Sequence, residues 1–181
     1  LPYQEGTSVL TWREPHGVTG HVIPWNYPMQ IFGRSVGGAL AAGNTCVIKP
    51  AEDACLSVLR VAQLAAEVGF PPGTINVVTG YGHEVGDALA RHPGIDHISF
   101  TGSPSVGTLI AQAAAERHCP VTLELGGKSP QIVFADADLD KAADMAAFGI
   151  FFNQGEVCSA NSRMLVHADV ADEMVARMET R

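Results

Sequence analysis

The sequence predicts an α/β protein in which a parallel sheet is covered by helices on both faces. Short apolar segments rich in β-branched residues alternate along the chain with segments whose apolar residues recur at helical spacing. The connections between them are short and marked by glycine and proline, as in proteins built from successive strand–helix–strand units. Ligands bind such sheets beyond the carboxyl ends of the strands, so the loops at those ends are expected to carry the function.

Eight strands are predicted, at residues 9–12, 18–23, 45–49, 74–78, 97–100, 121–124, 131–134 and 164–166. Most are rich in β-branched and other apolar residues, and the second stops at Pro24. The regular alternation of strand and helix weakens at Gly126-Gly127. We therefore expect a domain boundary there.

Five helices are predicted between these strands, at residues 31–42, 54–68, 84–91, 103–117 and 139–151, and residues 170–181 are also helix-like. The first is rich in small and apolar residues and ends at Gly43-Asn44. The second has an apolar stripe along one face and stops at Gly69. The fourth begins with Ser103, a good N-cap, followed by Pro104 at the first helical position.

Composition excludes several classes of function. Hydrophobic residues make up 46% of the 181 residues, enough for a sizeable core, and the net charge is −8. An acidic chain without a basic stripe is a poor candidate for binding nucleic acid or an anionic membrane. No apolar run is long enough to span a bilayer, and no charged-then-apolar leader precedes the first motif. The first residue is Leu, and the last lies in a helix-like stretch, so we expect a fragment or processed piece.

The four cysteines and seven histidines show neither disulfide nor zinc-ligand spacing. Cys46, Cys55 and Cys119 are expected to be small, buried or half-buried thiols, because a free cysteine packs as a small hydrophobe. We expect no metal site. The lack of a disulfide pattern favours a reducing compartment, and the predicted location is the cytoplasm.

Lys49 and Glu52 follow the strand at residues 45–49. Both side chains could hydrogen-bond the ribose hydroxyls of a nucleotide, in which case the sheet would be Rossmann-like. A carboxylate accepts a bond from a 2′-hydroxyl but repels a 2′-phosphate, so Glu52 favours NAD over NADP. The alternative is a solvated surface ion pair, which is a common and weak interaction.

Two further loops have the form of phosphate-binding turns. Gly80, Gly82 and Gly86 lie between a strand and a helix at a spacing one residue longer than the usual dinucleotide fingerprint, and a turn of purely structural use is equally consistent. The run Phe100-Thr101-Gly102-Ser103 follows a strand and opens a helix. The free N–H groups of a helix N-terminus suit a pyrophosphate, and capping by Ser103 is compatible with that use.

Cys158, Asn26 and Glu124 could together perform covalent chemistry on a carbonyl carbon. A Cys158 thiolate would attack an aldehyde, and the Asn26 amide with the Cys158 backbone N–H would bind the resulting oxyanion. After hydride loss, Glu124 would activate the water that hydrolyses the thioester. Taken singly, each residue also has a structural interpretation: a buried thiol, an amide in a turn before Pro28, and a carboxylate at a strand end.

The chain resembles the aldehyde dehydrogenase superfamily of the non-acylating, NAD(P)-dependent kind over essentially all its residues. The motifs that carry the resemblance are Pro24-Trp25-Asn26-Tyr27-Pro28, Lys49-Pro50-Ala51-Glu52, Phe100-Thr101-Gly102-Ser103, Leu123-Glu124-Leu125-Gly126-Gly127-Lys128, and Asn153-Gln154-Gly155 followed by Cys158. The resemblance implies that Cys158 is the nucleophile, Glu124 the general base and Asn26 the oxyanion donor. The candidate coenzyme-binding residues are then Ile23, Pro24, Trp25, Lys49, Glu52, Gly82, Gly86, Phe100, Gly102, Ser103, Leu125 and Gly126.

The same resemblance implies a domain organisation and partners. Residues 1–15 would be a bridging β-segment that pairs in an oligomer, residues 16–126 the dinucleotide-binding domain, and residues 127–181 the start of a truncated α/β catalytic domain. The intact enzyme would be a homodimer or homotetramer that acts on a small aldehyde. Glu156 departs from the family, which commonly has Gln there.

Two other functions remain open at this point. A CoA-acylating relative would pass the acyl group to CoA, and Glu124 argues against it because that transfer needs no water-activating base. An inactive truncated piece would serve only for binding or structure, and we expect the 181-residue chain alone to have little or no activity.

Overall fold

The computed structural model describes residues 4–181. Residues 7–16 form no helix or strand, so the strand predicted at residues 9–12 is absent, and Leu10 and Trp12 are largely exposed. A strand needs a neighbour for its backbone hydrogen bonds, and nothing in the described part of the chain pairs with this segment. The bridging role of residues 1–15 stays a prediction, and residues 1–3 lie outside the described residues.

A five-stranded sheet organises the first part of the chain. Its strands are β1 (Val18–Ile23), β2 (Thr45–Pro50), β3 (Ile75–Val77), β4 (His97–Gly102) and β5 (Val121–Leu125). Their spatial order is β3-β2-β1-β4-β5, and β1 pairs in parallel with both β2 and β4. From β1 the chain first adds β2 and β3 on one side, and then adds β4 and β5 on the other. This confirms the predicted parallel α/β sheet and places its switch point between β1 and β4.

Four helices connect these strands: α1 (Pro28–Ala41), α2 (Leu56–Glu67), α3 (Asp87–Arg91) and α4 (Pro104–Ala115). Helix α1 begins three residues earlier than predicted, because proline is well suited to the first helical turn. A short 3₁₀ turn, Glu52–Ala54, precedes α2, and a π-helical turn, Gly82–Gly86, precedes α3. Helical periodicity alone does not distinguish such tighter or wider turns from an α-helix.

Hydrophobic clusters cover both faces of the sheet. One cluster combines sheet residues with α1 and α2, and its members are Ile23, Ile31, Phe32, Val36, Cys46, Ile48 and Val58. The other combines sheet residues with α3 and α4, and its members are Leu89, Ala90, Ile95, Ile98, Phe100, Ile110, Ala113 and Ala114. Helices therefore flank both faces, as the sequence predicts.

The chain divides into two compact units. The first contains residues up to Thr101 together with Thr108–Leu123, and the second contains Gly102–Gly107 and Glu124–Arg181. The main division falls close to the boundary predicted at Gly126-Gly127. Assignment of the units to a coenzyme domain and a catalytic domain remains a proposal.

The second unit contains a two-stranded parallel sheet, β6 (Ser129–Val133) with β7 (Asn161–Val166), and helices α5 (Leu139–Phe151) and α6 (Ala171–Met178). Asp138 caps α5 by accepting a hydrogen bond from the Lys141 N–H at 3.1 Å. Arg177 bonds Asp140 of α5 at 3.3 Å, and Arg181 bonds Asp144. The first pair joins α6 to α5, and the second joins the segment after α6 to α5.

His21 is a buried polar residue of β1, with 2% of its surface exposed. The Thr19 hydroxyl donates to the Thr45 carbonyl at 3.0 Å, so Nε2–H of His21 donates to Thr19 Oγ1 at 2.8 Å. That tautomer leaves Nδ1 unprotonated, and this atom has no hydrogen-bond partner in the described chain. Burial, and then the charge of nearby His97, lower the pKa of His21 to about 4.

The lowered pKa of His21 predicts that the fold loses stability in acid. The unfolded chain binds a proton on His21 near pH 6.5, whereas the folded chain does so only near pH 4, so stability falls as the pH is lowered through this range. Between pH 6.5 and 5 we expect the free energy of unfolding to fall by about 1.5 kcal/mol from this group. Chemical denaturation at several pH values measures it. His21→Gln should make the free energy of unfolding depend less steeply on pH, whereas the control His83→Gln, at an exposed position, should leave that dependence unchanged. If the free energy of unfolding of His21→Gln falls with pH as steeply as that of the wild type, His21 is not the source of the acid sensitivity.

Candidate active site

Lys49 and Glu52 form an ion pair at the carboxyl end of β2. Lys49 Nζ lies 2.8 Å from Glu52 Oε2, and Lys49 has only 2% of its surface exposed. A buried ammonium group needs a partner, and the Glu52 side chain that provides it is 43% exposed, so the pair is buried at its ammonium end and open to solvent at its carboxylate end. The bond from Lys49 holds the pKa of Glu52 below its usual range, with help from the backbone amides of Glu52 and Gly82.

The Gly82 amide links this pair to the glycine-rich turn. Gly82 and Gly86 are the two ends of a π-helical turn, in which the Gly86 N–H donates to the Tyr81 carbonyl at 3.5 Å and the Val85 N–H donates to the same carbonyl at 2.9 Å. At Gly80 φ is 147°, and a Cβ there would clash with Val85, so only glycine fits this position. The sequence marks the glycines but gives no sign of the bond to Glu52, which depends on how two loops meet.

The loop after β1 carries Trp25 and Asn26. Trp25 is half exposed and Asn26 is half-buried in the connection from Pro24 to α1. The side chains of Ile23 and Phe100 pack in the core, with 1% and 3% exposed. Any coenzyme contact from those two residues would therefore come from their backbone atoms.

Ser103 caps α4 as the sequence predicts. Its hydroxyl accepts a hydrogen bond from the Val106 N–H at 3.4 Å, and its carbonyl accepts one from the Gly107 N–H at 2.9 Å. Gly102 is the last residue of β4, and the exposed Ser103 follows it directly. The start of α4 thus presents a hydroxyl and a helix N-terminus, which suit a phosphate group.

Cys158 is the exposed member of the four cysteines. Cys46 is buried and Cys55 and Cys119 are intermediate, as predicted, whereas Cys158 is exposed. Within the described residues Cys158 therefore fills no core, and its role as a nucleophile stays a prediction. An exposed thiol on a loop is open to a substrate.

Glu124, Leu125 and Gly126 lie in the same unit as Cys158, at the end of β5 and just beyond it. A Cβ built on the next residue, Gly127, would lie 3.4 Å from the Cys158 carbonyl oxygen. This segment therefore passes close to the loop at residues 156–160 that carries Cys158, called the cysteine loop below. Gly127 is not among the candidate site residues, although a glycine doublet can indicate a close backbone approach. Asn26 belongs to the first unit, and its action with Cys158 is a proposal.

The sequence model of the Aldehyde dehydrogenase family matches residues 1–181. The chain belongs to the aldehyde dehydrogenase family. It is 51% identical to the mouse protein named aldehyde dehydrogenase, cytosolic 1, over 100% of the chain and 36% of that protein. The chain spans about a third of the length of the curated relatives it matches.

Solved aldehyde dehydrogenase structures have the same fold. A candidate aldehyde dehydrogenase from Burkholderia cenocepacia superposes with a TM-score of 0.95 at 71% identity, covering 99% of this chain and 38% of that one. The PnpE protein of Pseudomonas sp. WBC-3 was solved with nicotinamide adenine dinucleotide. It superposes with a TM-score of 0.89 at 48% identity, covering 92% of this chain and 34% of that one. The fold of this family member is thus established well beyond chance similarity.

Two other features, a metal-binding cluster and a membrane-spanning helix, are absent from the described residues. No group of three or more His, Cys, Asp or Glu side chains in residues 4–181 is arranged to hold a metal ion. In the same residues no helix has the length and apolar character needed to cross a membrane.

Proposed function

We propose that the enzyme containing this chain oxidises an aldehyde to a carboxylate with NAD, through a covalent intermediate on Cys158. The observation that carries the proposal is the exposed thiol of Cys158, on a loop beside the segment that follows Glu124. It stands in a chain matched throughout by the aldehyde dehydrogenase family. A nucleophile and a candidate base are therefore in one compact unit.

The coenzyme proposal rests on the donors and acceptors of the Lys49–Glu52 pair. An ammonium group and a carboxylate 2.8 Å apart offer one donor and one acceptor to a ribose diol. The carboxylate would repel a 2′-phosphate, which favours NAD over NADP. The relative PnpE was solved with NAD, in line with this preference. Gly82 and the cap of α4 would hold the adenosine and pyrophosphate ends.

The chemistry assigned to the chain has three steps. The Cys158 thiolate attacks the aldehyde carbon, and the Asn26 amide with the Cys158 N–H binds the oxyanion of the thiohemiacetal. When bound, the coenzyme would supply the hydride acceptor needed for oxidation of this adduct to a thioester. Glu124 then takes a proton from water as it attacks the thioester, which releases the carboxylate and restores the thiol.

The proposal also covers the cellular compartment and the oligomeric state of the enzyme. We propose a cytoplasmic enzyme, because the four cysteines are all free and one mouse relative is named cytosolic. Assembly as a homodimer or homotetramer would give the bridging segment, residues 1–15, a partner strand; in the described part of the chain no strand pairs with residues 9–12.

An assay with and without CoA tests the proposed reaction. The full-length enzyme, given propanal and NAD, should form NADH and propanoate without CoA, because Glu124 supplies a base for hydrolysis. Coenzyme absorbance follows NADH, and chromatography identifies the acid. NADH formation only when CoA is present would replace the proposal with the acylating reaction, and none with any aldehyde would refute it.

A further inference from the structure

A left-handed turn separates α5 from Cys158. Asn153 has φ 50° and ψ 40°, Gln154 has φ 61° and ψ 21°, and Gly155 has φ 75°. Only three non-glycine residues in the described chain have positive φ, and two of them lie in this turn. Asn tolerates this conformation, but for Gln it costs roughly 1–2 kcal/mol.

The surroundings hold the turn in this strained form. The Glu156 N–H donates to the Asn153 carbonyl at 3.0 Å, and the Asn153 side-chain amide donates to the Glu156 carbonyl at 3.4 Å. A Cβ on Gly155 would lie 2.9 Å from the Ile150 carbonyl, so the turn packs directly on the last turn of α5. Backbone strain persists where neighbouring structure fixes it, and such strain clusters at functional sites.

The turn determines where the cysteine loop goes. If Gln154 relaxed to the right-handed region, φ would rotate by about 120° and redirect all residues that follow it. As the turn stands, the chain returns from α5 so that the Cys158 carbonyl lies beside Gly127. The orientation of the Cys158 backbone and thiol therefore depends on three successive left-handed residues.

We propose that the left-handed turn at residues 153–155 orients Cys158 for attack, with Gln154 as a positioning residue that acts through its backbone conformation. This inference rests on the proposed role of Cys158 as nucleophile. It assigns no chemistry to the Gln154 amide. Reactivity should thus follow how readily residue 154 adopts positive φ, and not whether residue 154 carries an amide.

Three substitutions in the full-length enzyme separate backbone from side chain. Gln154→Gly and Gln154→Asn accept positive φ, so both should keep kcat within about twofold. Gln154→Val disfavours positive φ strongly and should lower kcat about tenfold or more, with a smaller change in the KM for NAD. Steady-state NADH formation gives both constants, and circular dichroism checks the fold. Gly155→Ala, blocked by the Ile150 carbonyl, should act like Gln154→Val and replaces it if that variant does not fold.

The controls distinguish failure of this inference from failure of the proposed function. Full kcat in folded Gln154→Val or Gly155→Ala would overturn the positioning role. A loss in Gln154→Gly as large as in Gln154→Val would also overturn it, because the side chain would then be what matters. If Cys158→Ala forms NADH as fast as the wild type, the proposed function itself is wrong.

Discussion

Replacing Cys158 by alanine is expected to lower aldehyde-dependent NADH formation in the full-length enzyme on the order of 10⁴-fold or more. The reason is that the thiolate forms the covalent bond on which both later steps depend. Alanine occupies less space than cysteine on an exposed loop, so the fold should be kept. Initial rates with propanal and NAD measure the effect.

The matched control for that experiment is Cys119→Ala. Cys119 is a half-buried thiol whose sulfur lies 3.6 Å from the Ile95 carbonyl, and it has no part in the proposed chemistry. Its replacement should leave kcat within about twofold while changing stability slightly. Wild-type rates in Cys158→Ala, or an equal loss in Cys119→Ala, would remove Cys158 from the mechanism.

Glu124→Gln is expected to separate acylation from hydrolysis. Gln has the shape of Glu but cannot accept a proton from water, so the first turnover should proceed and the thioester should then accumulate. We expect one equivalent of NADH in a rapid burst, followed by a steady-state rate lower by about 10²- to 10⁴-fold. Stopped-flow measurement of NADH resolves the two phases.

Glu156→Gln is the control for a carboxylate on the cysteine loop. Glu156 is exposed and lies two residues before Cys158. Its replacement should keep multiple turnovers at a rate within a few-fold of the wild type. If the burst itself disappears in Glu124→Gln, Glu124 acts before the thioester forms. The proposed role in hydrolysis would then be wrong.

The sequence predicts the sheet well because each strand and helix carries its own local signal. The strand at residues 18–23 has the predicted bounds, and Ser103 caps α4 as expected. The strand predicted at residues 9–12 fails for a physical reason. Its apolar pattern is real, but a strand also needs a partner for its backbone groups, and sequence pattern does not show whether one is present.

The candidate site is predictable by residue type but not by its contacts. Motif and spacing single out Cys158, Lys49 and Glu52 as candidates, and their roles stay predictions. The near-complete burial of Lys49 and the bond from the Gly82 amide to Glu52 depend on tertiary packing. The left-handed conformation of Gln154 is equally hidden, because glutamine is a poor predictor of positive φ.

Trapping the acyl group on Cys158 tests the central claim most directly. Full-length Glu124→Gln enzyme would be mixed with propanal and NAD, quenched in acid after the burst, digested and analysed by mass spectrometry. The account predicts a propanoyl group on the peptide that contains Cys158, in an amount equal to the NADH formed in the burst. NADH without any acyl group on that peptide, or an acyl group on Cys55 or Cys119 instead, would contradict it.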